Sequence, residues 1–386
     1  MKVLLLSHLY PNVISKLSGS FVHNQARFLQ DHCQLEVVAP VPWFPLPGFG
    51  LWSAYRHVPR REVLDGIEVR RPRRFAVPRR IFFAQQWRFH LKALRNAVAG
   101  VPDIIHAHCA YPDGRAAVEY GSQTGRPVVI TVHGSDIKIL PKLKSQWRQL
   151  IVEALTQAAA VVVVSQELRR EVLQLGVPVD KVHCIPNGVD CQLFSAAGSH
   201  QSDKEKWHLL YVGRFVEAKG LRVLLAALAK VRSQGRDVSL TLIGGHPATG
   251  TADPFLPQVK ALNLSEHVSF EDAVPWEELP PYMAAADLFV LPSFSEGLTT
   301  SLIEAMACGL PVVATRCGGP EEVVNEEIGR LVAIGDAEDL AAGILVVLDE
   351  YDCYDREAIR RQAEKRYDYR RVAARIYALY EEVLAR

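Results

Sequence analysis

The chain has 386 residues, of which 49% are hydrophobic and 23% charged, and this suits two globular domains rather than one core, a disordered chain or a fibre. The formal net charge of +1 conceals an asymmetry: residues 1–195 carry 24 Lys and Arg against 14 Asp and Glu, whereas the remainder carries 20 against 29. The two halves therefore have net charges of +10 and −9, and we expect them to meet different partners.

The cysteines and the first residues favour a cytoplasmic protein. The seven cysteines show no C-x-x-C pair and no metal-ligand spacing, which is typical of reduced thiols. The first apolar run, Val3 to Leu6, is too short for the apolar core of a signal peptide and predicts a buried first strand. No apolar run approaches the ~20 residues that a membrane span requires.

Apolar strands alternate with amphipathic helices through the first half of the chain. Strands are predicted at "KVLLLSH", "LEVVAP", "DIIHAH", "PVVITVHG" and "AAVVVVS". Between them, "FVHNQARFLQDH" and "SQWRQLIVEALTQ" have helical periodicity. His106 and His108 lie in the third of these strands, where they could resemble metal ligands; we expect them to line the strand end instead.

The second half repeats this alternation. Strands are predicted at "HLLYVGR", "VSLTLIGG", "ADLFVLPS" and "PVVATRC", and helices at "GLRVLLAALAKVRSQG" and "LTTSLIEAMACG". Two such sets predict two doubly wound α/β domains with a ligand cleft between them. The polar segment Phe194–Trp207 predicts their boundary, and the chain ends in an amphipathic helix. Its apolar stripe is predicted to contain Val372, Ile376, Leu379, Tyr380 and Leu384.

Three loops that follow predicted strands have the character of phosphate-binding sites. They contain Gly19 in "SKLSGSFVHNQ", Gly213, Arg214 and Lys219 in "YVGRFVEAKGL", and the helix start Leu298–Ser301. A diphosphate at the helix start would meet free backbone N–H groups, the helix dipole and two cations. No G-x-G-x-x-G follows a strand and no Walker A sequence occurs, which disfavours an NAD-dependent enzyme and a P-loop NTPase.

Two carboxylates, Glu296 and Glu304, stand eight residues apart in "SEGLTTSLIEAMACG". Glu304 lies inside an apolar run, so it must be paired or must meet a polar group that enters from outside. This segment, continued to "LPVVAT", resembles the E-x7-E segment of family 4 of the retaining glycosyltransferases, two-domain enzymes that use a nucleotide-activated sugar.

The resemblance extends over nearly the whole chain. "YVGRFVEAKGL" is similar to the family's diphosphate-binding G-R-x4-K-G segment, "IPNGVD" to its N-G-V-D turn, and "TVHGSD" to its H-G-x-D segment. It implies the GT-B architecture: two doubly wound Rossmann-like domains facing across a cleft. Residues 1–195 would then bind the acceptor and residues 205–366 the nucleotide sugar, while residues 367–386 would form a helix that packs back on the first domain.

The resemblance also implies roles for single residues. Glu304 would accept hydrogen bonds from the ribose hydroxyls, and Glu296 would face hydroxyls of the transferred sugar. Arg214 and Lys219 would neutralise the diphosphate, whose negative charge grows as the sugar leaves. His133 would lie near the sugar and the acceptor.

Backbone groups complete the implied nucleotide-sugar site. Gly19 would let the backbone of the first domain approach the phosphates. Val274 belongs to "VSFEDAVPWEELPPYM", which resembles the family's base-binding loop. The remaining members of the predicted site are Gly213, Gly244, Gly297, Leu298, Thr299 and Thr300.

The implied reaction is sugar transfer with retention of anomeric configuration, through an oxocarbenium-like ion pair in which the leaving diphosphate draws the acceptor proton. The sequence contains no D-x-D, so we expect no required divalent metal and no other cofactor. A sugar-nucleotide epimerase or hydrolase on the same fold is an alternative, as is a non-catalytic nucleotide-sugar binding protein.

The basic segment, which we define as Arg70–Arg80, contains six arginines and is followed by the aromatic residues Phe82, Phe83 and Trp87. This combination favours contact with an anionic membrane surface. A solvated loop with local salt bridges is the alternative, whereas nucleic acid finds no supporting motif. The acceptor is therefore predicted to be a glycan or lipid-linked saccharide, and the protein to lie in the cytoplasm, peripherally at the inner face of the cell membrane.

Overall fold

The chain folds into two units, each built on its own largely parallel sheet. The structure, a computed structural model, describes residues 1–43, 54–76, 82–195, 205–245 and 254–386. Unit 1 comprises Met1–Asn187 and Tyr369–Arg386, and unit 2 comprises Gly188–Asp368. Residues 188–195, predicted to close the first domain, belong to the second unit.

Ten described strands lie in unit 1. They are β1 (Lys2–Leu6), β2 (Gln34–Val38), β3 (Val41–Trp43), β4 (Arg61–Leu64), β5 (Ile67–Arg70), β6 (Arg73–Phe75), β7 (Ile104–His108), β8 (Val128–Val132), β9 (Ala160–Val163) and β10 (Val182–Cys184). Eight of them form one sheet in the order β10-β9-β8-β7-β1-β2-β5-β4, and β3 pairs with β6 separately. The sheet is parallel except for the β4–β5 hairpin. Its parallel strands β1, β7 and β8 therefore end at one edge, where ligands of such folds bind.

Helices cover the sheet of unit 1. They span Ser20–Leu29, Gln86–Ala97, Arg115–Thr124, Ser135–Lys138, Leu140–Leu143, Ser145–Gln157, Gln166–Gln174 and Tyr369–Ala385. Within the described ranges, none is both long and apolar enough to cross a membrane.

The last of these, the terminal helix (Tyr369–Ala385), joins the core of unit 1 although it follows unit 2 in the chain. Its residues Val372, Ile376 and Tyr380 pack in one cluster with Val3 and Ile104 of the sheet. The predicted stripe is correct except at its end, where Leu384 is 41% exposed and Val383 is buried instead. A helix of 3.6 residues per turn carries position 384 away from the stripe and position 383 onto it.

Unit 2 contains a six-stranded parallel sheet in the order β13-β12-β11-β14-β15-β16. Its strands are β11 (Lys206–Arg214), β12 (Asp237–Gly245), β13 (Val268–Asp272), β14 (Leu288–Leu291), β15 (Val312–Thr315) and β16 (Gly329–Val332). Its helices span Leu221–Ser233, Leu256–Ala261, Pro280–Ala285, Thr300–Ala307, Ala337–Asp349 and Arg356–Tyr367. Both predicted sets of strands are thus present, and the doubly wound α/β fold is confirmed in each unit.

The basic segment is largely turned into unit 1. Arg70 pairs with Glu36 at 3.1 Å and donates to the Ala97 carbonyl at 2.7 Å. Arg71 is fully buried, where it pairs with Glu62. Among the other arginines, Arg73 donates to the Val58 carbonyl and burial lowers the pKa of Arg74, while Arg79 and Arg80 lie outside the described residues. The described part of this segment therefore has the local salt bridges of the alternative, although its arginines lie in or between strands rather than in a solvated loop.

Candidate active site

The predicted site residues of unit 2 all lie at one edge of its sheet. Strands β13, β12, β11 and β14 are neighbours and parallel, so their carboxyl ends meet there. Val274 follows β13, Gly244 lies near the end of β12 opposite Gly213 of β11, and Glu296 follows β14. Parallel register therefore brings together residues that are up to 91 positions apart in the sequence, from Gly213 to Glu304.

Two loops of this edge are joined to each other. The Phe294 N–H donates to the Ala218 carbonyl at 3.0 Å. Gly220 has a φ of +70°, and a β-carbon there would lie 1.9 Å from the Pro292 carbonyl oxygen. Only glycine permits this approach, which fixes the turn that carries Lys219 against the end of β14.

As a result, Lys219 and Glu296 form an ion pair between Nζ and Oε1. Both side chains are largely buried, whereas Arg214 nearby is exposed. Glu296 is held further by its backbone, because its N–H donates to the Cys317 carbonyl at 3.0 Å. The predicted diphosphate-binding cation thus touches the predicted sugar-binding carboxylate directly.

The helix Thr300–Ala307, called here the Glu304 helix, starts directly after this pair with Thr299 at its N-cap. Three hydroxyl oxygens around its start, those of Ser293, Thr299 and Ser301, are buried and have no hydrogen-bond partner within the described ranges. Hydroxyls and first-turn N–H groups are donors that suit phosphate oxygens.

Glu304 is buried inside this helix, and the structure supplies it with one internal partner. The Trp276 indole N–H donates to Glu304 Oε1 at 3.0 Å. Burial raises the pKa of Glu304 to about 7, and the indole hydrogen bond opposes that shift. Trp276 was not predicted as a site residue, although it stands two positions after Val274 in the segment that resembles a base-binding loop.

In unit 1, the predicted residues Gly19 and His133 also lie at the carboxyl edge of the sheet. Gly19 follows β1 with a φ of +71°, and a β-carbon there would lie 2.1 Å from the Leu9 carbonyl oxygen. The ring of Phe21, two residues on, lies 4.6 Å from the His133 ring. The loops after β1 and β8 therefore meet.

His133 is held by its neighbours and is neutral. Its Nε2 lies 3.0 Å from Nδ1 of His108, and burial lowers its pKa to about 3. Asp136 caps the loop, because it accepts hydrogen bonds from the Gly134 N–H at 3.0 Å and from the Ala110 N–H at 2.9 Å. His106, by contrast, is fully buried: its ring nitrogens meet the hydroxyls of Tyr380 and Thr131, and its ring lies 4.6 Å from that of His108.

A second group of histidines, at the carboxyl edge of the sheet of unit 1, was not predicted from the sequence. His8 and His90 both contact the fully buried carboxylate of Asp113. The three residues are separated by up to 105 positions and belong to no motif, so only the fold brings them together. Within the part of the chain that the structure describes, neither this group nor any other set of three or more His, Cys, Asp or Glu side chains is arranged to hold a metal ion.

Chemically, the edge of unit 2 combines two cations, a helix start rich in donors, and two carboxylates. Cations and N–H groups bind an anion such as a diphosphate, and carboxylates accept hydrogen bonds from hydroxyls. The edge therefore suits a ligand that carries both phosphates and sugar rings.

Comparison with known proteins agrees with this geometry. Residues 18–193 match the family described as Glycosyltransferase Family 4, and residues 194–366 match Glycosyl transferases group 1. A Bacillus subtilis (strain 168) protein named as a teichuronic acid biosynthesis glycosyltransferase, TuaC, is 31% identical over 89% of this chain and 88% of its own. The MMP alpha-(1->4)-mannosyltransferase of Mycolicibacterium hassiacum is 28% identical over 79% of this chain and 77% of its own.

Solved structures match over the whole chain. Sucrose-phosphate synthase from Thermosynechococcus elongatus superposes with a TM-score of 0.82 at 22% identity, covering 100% of both chains. HepE from Anabaena, solved in complex with UDP-glucose, gives a TM-score of 0.75 at 20% identity over 99% of this chain and 100% of its own. Identities this low establish the fold, while the match to TuaC and to both family models establishes the relationship. The chain belongs to family 4 of the glycosyltransferases, and it has their GT-B fold of two Rossmann-like domains.

Proposed function

We propose that this glycosyltransferase moves a sugar from a nucleotide-diphosphate sugar to a glycan acceptor with retention of configuration. The observation that carries the proposal is the cluster of Arg214, Lys219, Glu296 and Glu304 at one sheet edge of unit 2. A nucleotide sugar offers diphosphate oxygens for the cations and hydroxyls for the carboxylates. The complex of the related fold HepE with UDP-glucose supports this class of donor.

The chemistry follows from charge. As the bond between the sugar C1 and the diphosphate oxygen breaks, negative charge grows on the diphosphate beside Arg214 and Lys219. These cations then stabilise the transition state more than the ground state. The acceptor oxygen bonds to C1 on the same face, and its proton passes to the leaving phosphate oxygen.

This route assigns no covalent nucleophile to the protein and no cofactor or divalent metal to the site. His133 would lie near the transferred sugar, and the backbone groups of Gly19, Gly297 and Leu298 near the phosphates and sugar hydroxyls. Gly213, Gly244, Val274, Thr299 and Thr300 would complete the donor site. An epimerase or hydrolase and a non-catalytic binding protein are less consistent with relatives named as transferases.

The proposed acceptor is a lipid-linked or cell-surface polysaccharide precursor, with the protein lying peripherally at the inner membrane face. TuaC, named for teichuronic acid biosynthesis, supports a polysaccharide. Because four arginines of the basic segment are engaged internally, a second segment of unit 1 is the better candidate for the membrane contact. We define this docking segment as Ile137–Arg148; its residues Ile139 and Leu143 are 52% and 50% exposed among exposed lysines.

A thermal-shift screen tests the donor site. The panel contains UDP-, GDP-, ADP- and CMP-sugars and free UDP, GDP and ADP at millimolar concentration. Because a ligand that binds only the folded state raises its melting temperature, we expect a shift with one nucleotide family. Glu304→Ala and Lys219→Ala should each abolish it, while Lys260→Ala, on the helix Leu256–Ala261, should leave it unchanged. Absence of a shift with every ligand would overturn the proposed donor.

A further inference from the structure

The carboxylate of Asp113 is the centre of a hydrogen-bonded group in unit 1. It lies in the tight turn Ala110–Gly114 after β7 and is fully buried. Its Oδ2 accepts from the backbone N–H of His8 at 3.0 Å and contacts the His8 Nδ1, and its Oδ1 accepts from His90 Nδ1 at 2.8 Å. The backbone bond and the ring bond together fix the His8 imidazole relative to β7.

The surroundings of this group determine which of its atoms carry protons. Burial raises the pKa of Asp113, but the two histidines more than offset it, and the net pKa lies well below the ordinary value. The carboxylate is therefore ionised and can only accept hydrogen bonds. Burial together with nearby Arg74 lowers the pKa of His90 to about 4, so His90 is neutral and donates from Nδ1. Whenever the His8 ring carries a single proton, that proton lies on Nδ1, because Asp113 can only accept, and Nε2 then has a lone pair.

His8 differs from its two partners in exposure. The side chains of Asp113 and His90 are fully buried, whereas the His8 side chain is 24% exposed. A buried carboxylate could satisfy its oxygens with buried donors alone. The group instead holds one imidazole at the surface in a fixed tautomer, at the strand end that carries ligands in such folds.

The position of His8 places it beside the other site residues of unit 1. His8 follows β1, and the Gly19 loop packs on Leu9, the next residue. Asp136, which holds the His133 loop, accepts from the Ala110 N–H in the same turn as Asp113. Two buried aspartates thus join the loops after β1, β7 and β8 into one rigid edge.

We propose that His8 binds a hydroxyl of the sugar acceptor, which donates a hydrogen bond to Nε2, and that Asp113 is the positioning residue that fixes the His8 tautomer. This inference rests on the proposed function, in which unit 1 receives a hydroxyl-bearing glycan acceptor. It adds an acceptor subsite that uses none of the donor residues of unit 2.

Nitrogen NMR of the imidazole rings in the full chain tests the tautomer first. Long-range proton–nitrogen spectra should show His8 protonated on Nδ1 in the unmodified protein. In Asp113→Ala the ring loses the acceptor of its Nδ1 proton, so the Nε2–H form of His8, which a free neutral imidazole prefers, should appear. A His8 that carries its proton on Nε2 in the unmodified protein would overturn the proposal. This readout requires no donor and remains valid if the donor proposal fails.

Titration with octyl glucosides, galactosides and mannosides in the presence of UDP tests the subsite. We expect the His8 Nε2 signal to shift as it accepts a hydroxyl, while the exposed ring of His32 stays unchanged. With a sugar nucleotide that supports transfer, His8→Leu should lower kcat/KM for the acceptor at least tenfold, and His8→Gln should restore part of it because its carbonyl also accepts. The nucleotide thermal shift should be unaffected by both.

Two results would contradict the proposed role of His8. A folded His8→Leu variant with unchanged kcat/KM, or a His8 signal that no alkyl glycoside moves, would refute the acceptor subsite and leave the contact between His8 and Asp113 with a structural role alone. If Asp113→Ala fails to fold, His8→Leu still tests the acceptor subsite, since the His8 ring is partly exposed. His32→Leu serves as the matched control, because it removes another exposed histidine of unit 1.

Discussion

Glu304 illustrates how far a single residue can be interpreted from sequence. Its place in an apolar helix predicts a polar partner, and the resemblance supplies a ribose. The structure adds an internal partner, the Trp276 indole, on one carboxylate oxygen. That contact joins positions 28 apart on different elements, so no local pattern could indicate it.

The protonation of Glu304 leads to a prediction about stability. Its pKa is raised by burial from 4.5 to about 7 in the folded protein, so the folded state binds this proton more tightly than the unfolded state does. The carboxyl therefore costs stability increasingly as pH rises from 4.5 to 7, and fully above that. Glu304→Gln should raise the free energy of unfolding at pH 8 by up to about 3 kcal/mol, and by little at pH 4.5.

Denaturant unfolding at both pH values measures this difference. The same variant should weaken nucleotide binding at pH 8, because the remaining amide oxygen is occupied by Trp276. Glu326→Gln, on an exposed residue of unit 2, should change neither quantity. A Glu304→Gln protein less stable than the parent at pH 8 would show that the buried carboxylate is stabilised by something other than the indole.

Lys219 and Glu296 are each predicted by the resemblance to a family motif, but their contact with each other is not. Each matches its own motif, and the two lie 77 positions apart. Their ion pair depends on the contact between the loops at Ala218 and Phe294, which is a tertiary feature. The sequence therefore predicts both residues as members of the site, but it does not predict that they form an ion pair with each other.

At the scale of elements, apolar runs predict the buried strands well and the exposed ones poorly. Apart from the half-buried Lys2 at the start of β1, strands β1, β7, β8 and β9 are fully buried runs of apolar residues interrupted by two histidines and a threonine, and all four were predicted. The hairpin β4–β5 was missed. Its turn, Asp65-Gly66, has φ of 48° and 81°, the form that an Asp-Gly pair between alternating residues indicates.

The basic segment shows why charge alone misleads. Six arginines in eleven residues suggest an external surface, yet the strands β5 and β6 bring Arg70 and Arg71 against Glu36 and Glu62. Those acids lie up to 34 positions away, so a linear charge count does not reveal the pairing.

The docking segment Ile137–Arg148 offers a different membrane contact, because it contains two half-exposed aliphatic side chains, no acidic residue and four cations, of which Lys138 forms an ion pair with Glu167 outside the segment. Apolar insertion and attraction to anionic lipid act together at such a surface. We expect the protein to co-sediment with vesicles of phosphatidylcholine containing a third phosphatidylglycerol. The double variant Ile139→Ser with Leu143→Ser should reduce the bound fraction several-fold.

The controls separate this segment from other surfaces. Val101→Ser removes an aliphatic residue that is 60% exposed and precedes β7, at the opposite edge of the sheet, and should leave binding unchanged. Binding should also weaken at high salt, since exposed charges are screened. If Arg79→Ser with Arg80→Ser abolishes sedimentation while the double aliphatic variant binds normally, the basic segment makes the contact after all.

For the whole molecule, the sequence predicts two similar domains because each half repeats the strand–helix alternation. The predicted boundary at residue 195 lies beside the junction of the two family models at residues 193 and 194, whereas the contacts of the chain place residues 188–195 in unit 2. The distribution of charge was also visible from sequence, but its meaning for the donor was not. The second half has a net charge of −9, which opposes an anionic ligand at long range. Local contacts must therefore determine whether the anionic donor binds to unit 2, because charges beyond about 8 Å are screened at physiological salt.

Hydrogen exchange over the whole chain distinguishes local binding from a diffuse effect. Phosphates at the sheet edge of unit 2 would engage backbone N–H groups and slow their exchange. With UDP, GDP or ADP, whichever gives the thermal shift, we expect slower exchange at 211–221 and 293–304. The terminal helix, which belongs to unit 1, should exchange at an unchanged rate.

Lys219→Ala should abolish the slowing at both unit 2 segments together, since the Lys219–Glu296 contact connects the two loops. Lys260→Ala provides the control, because it removes a cation of the same unit outside the cluster. If exchange is slowed only in unit 1, the nucleotide binds to unit 1 and not to unit 2. That result would refute the donor site at Arg214, Lys219 and Glu304. Slowing that survives in Lys219→Ala would mean that the start of the Glu304 helix binds the phosphates without this cation.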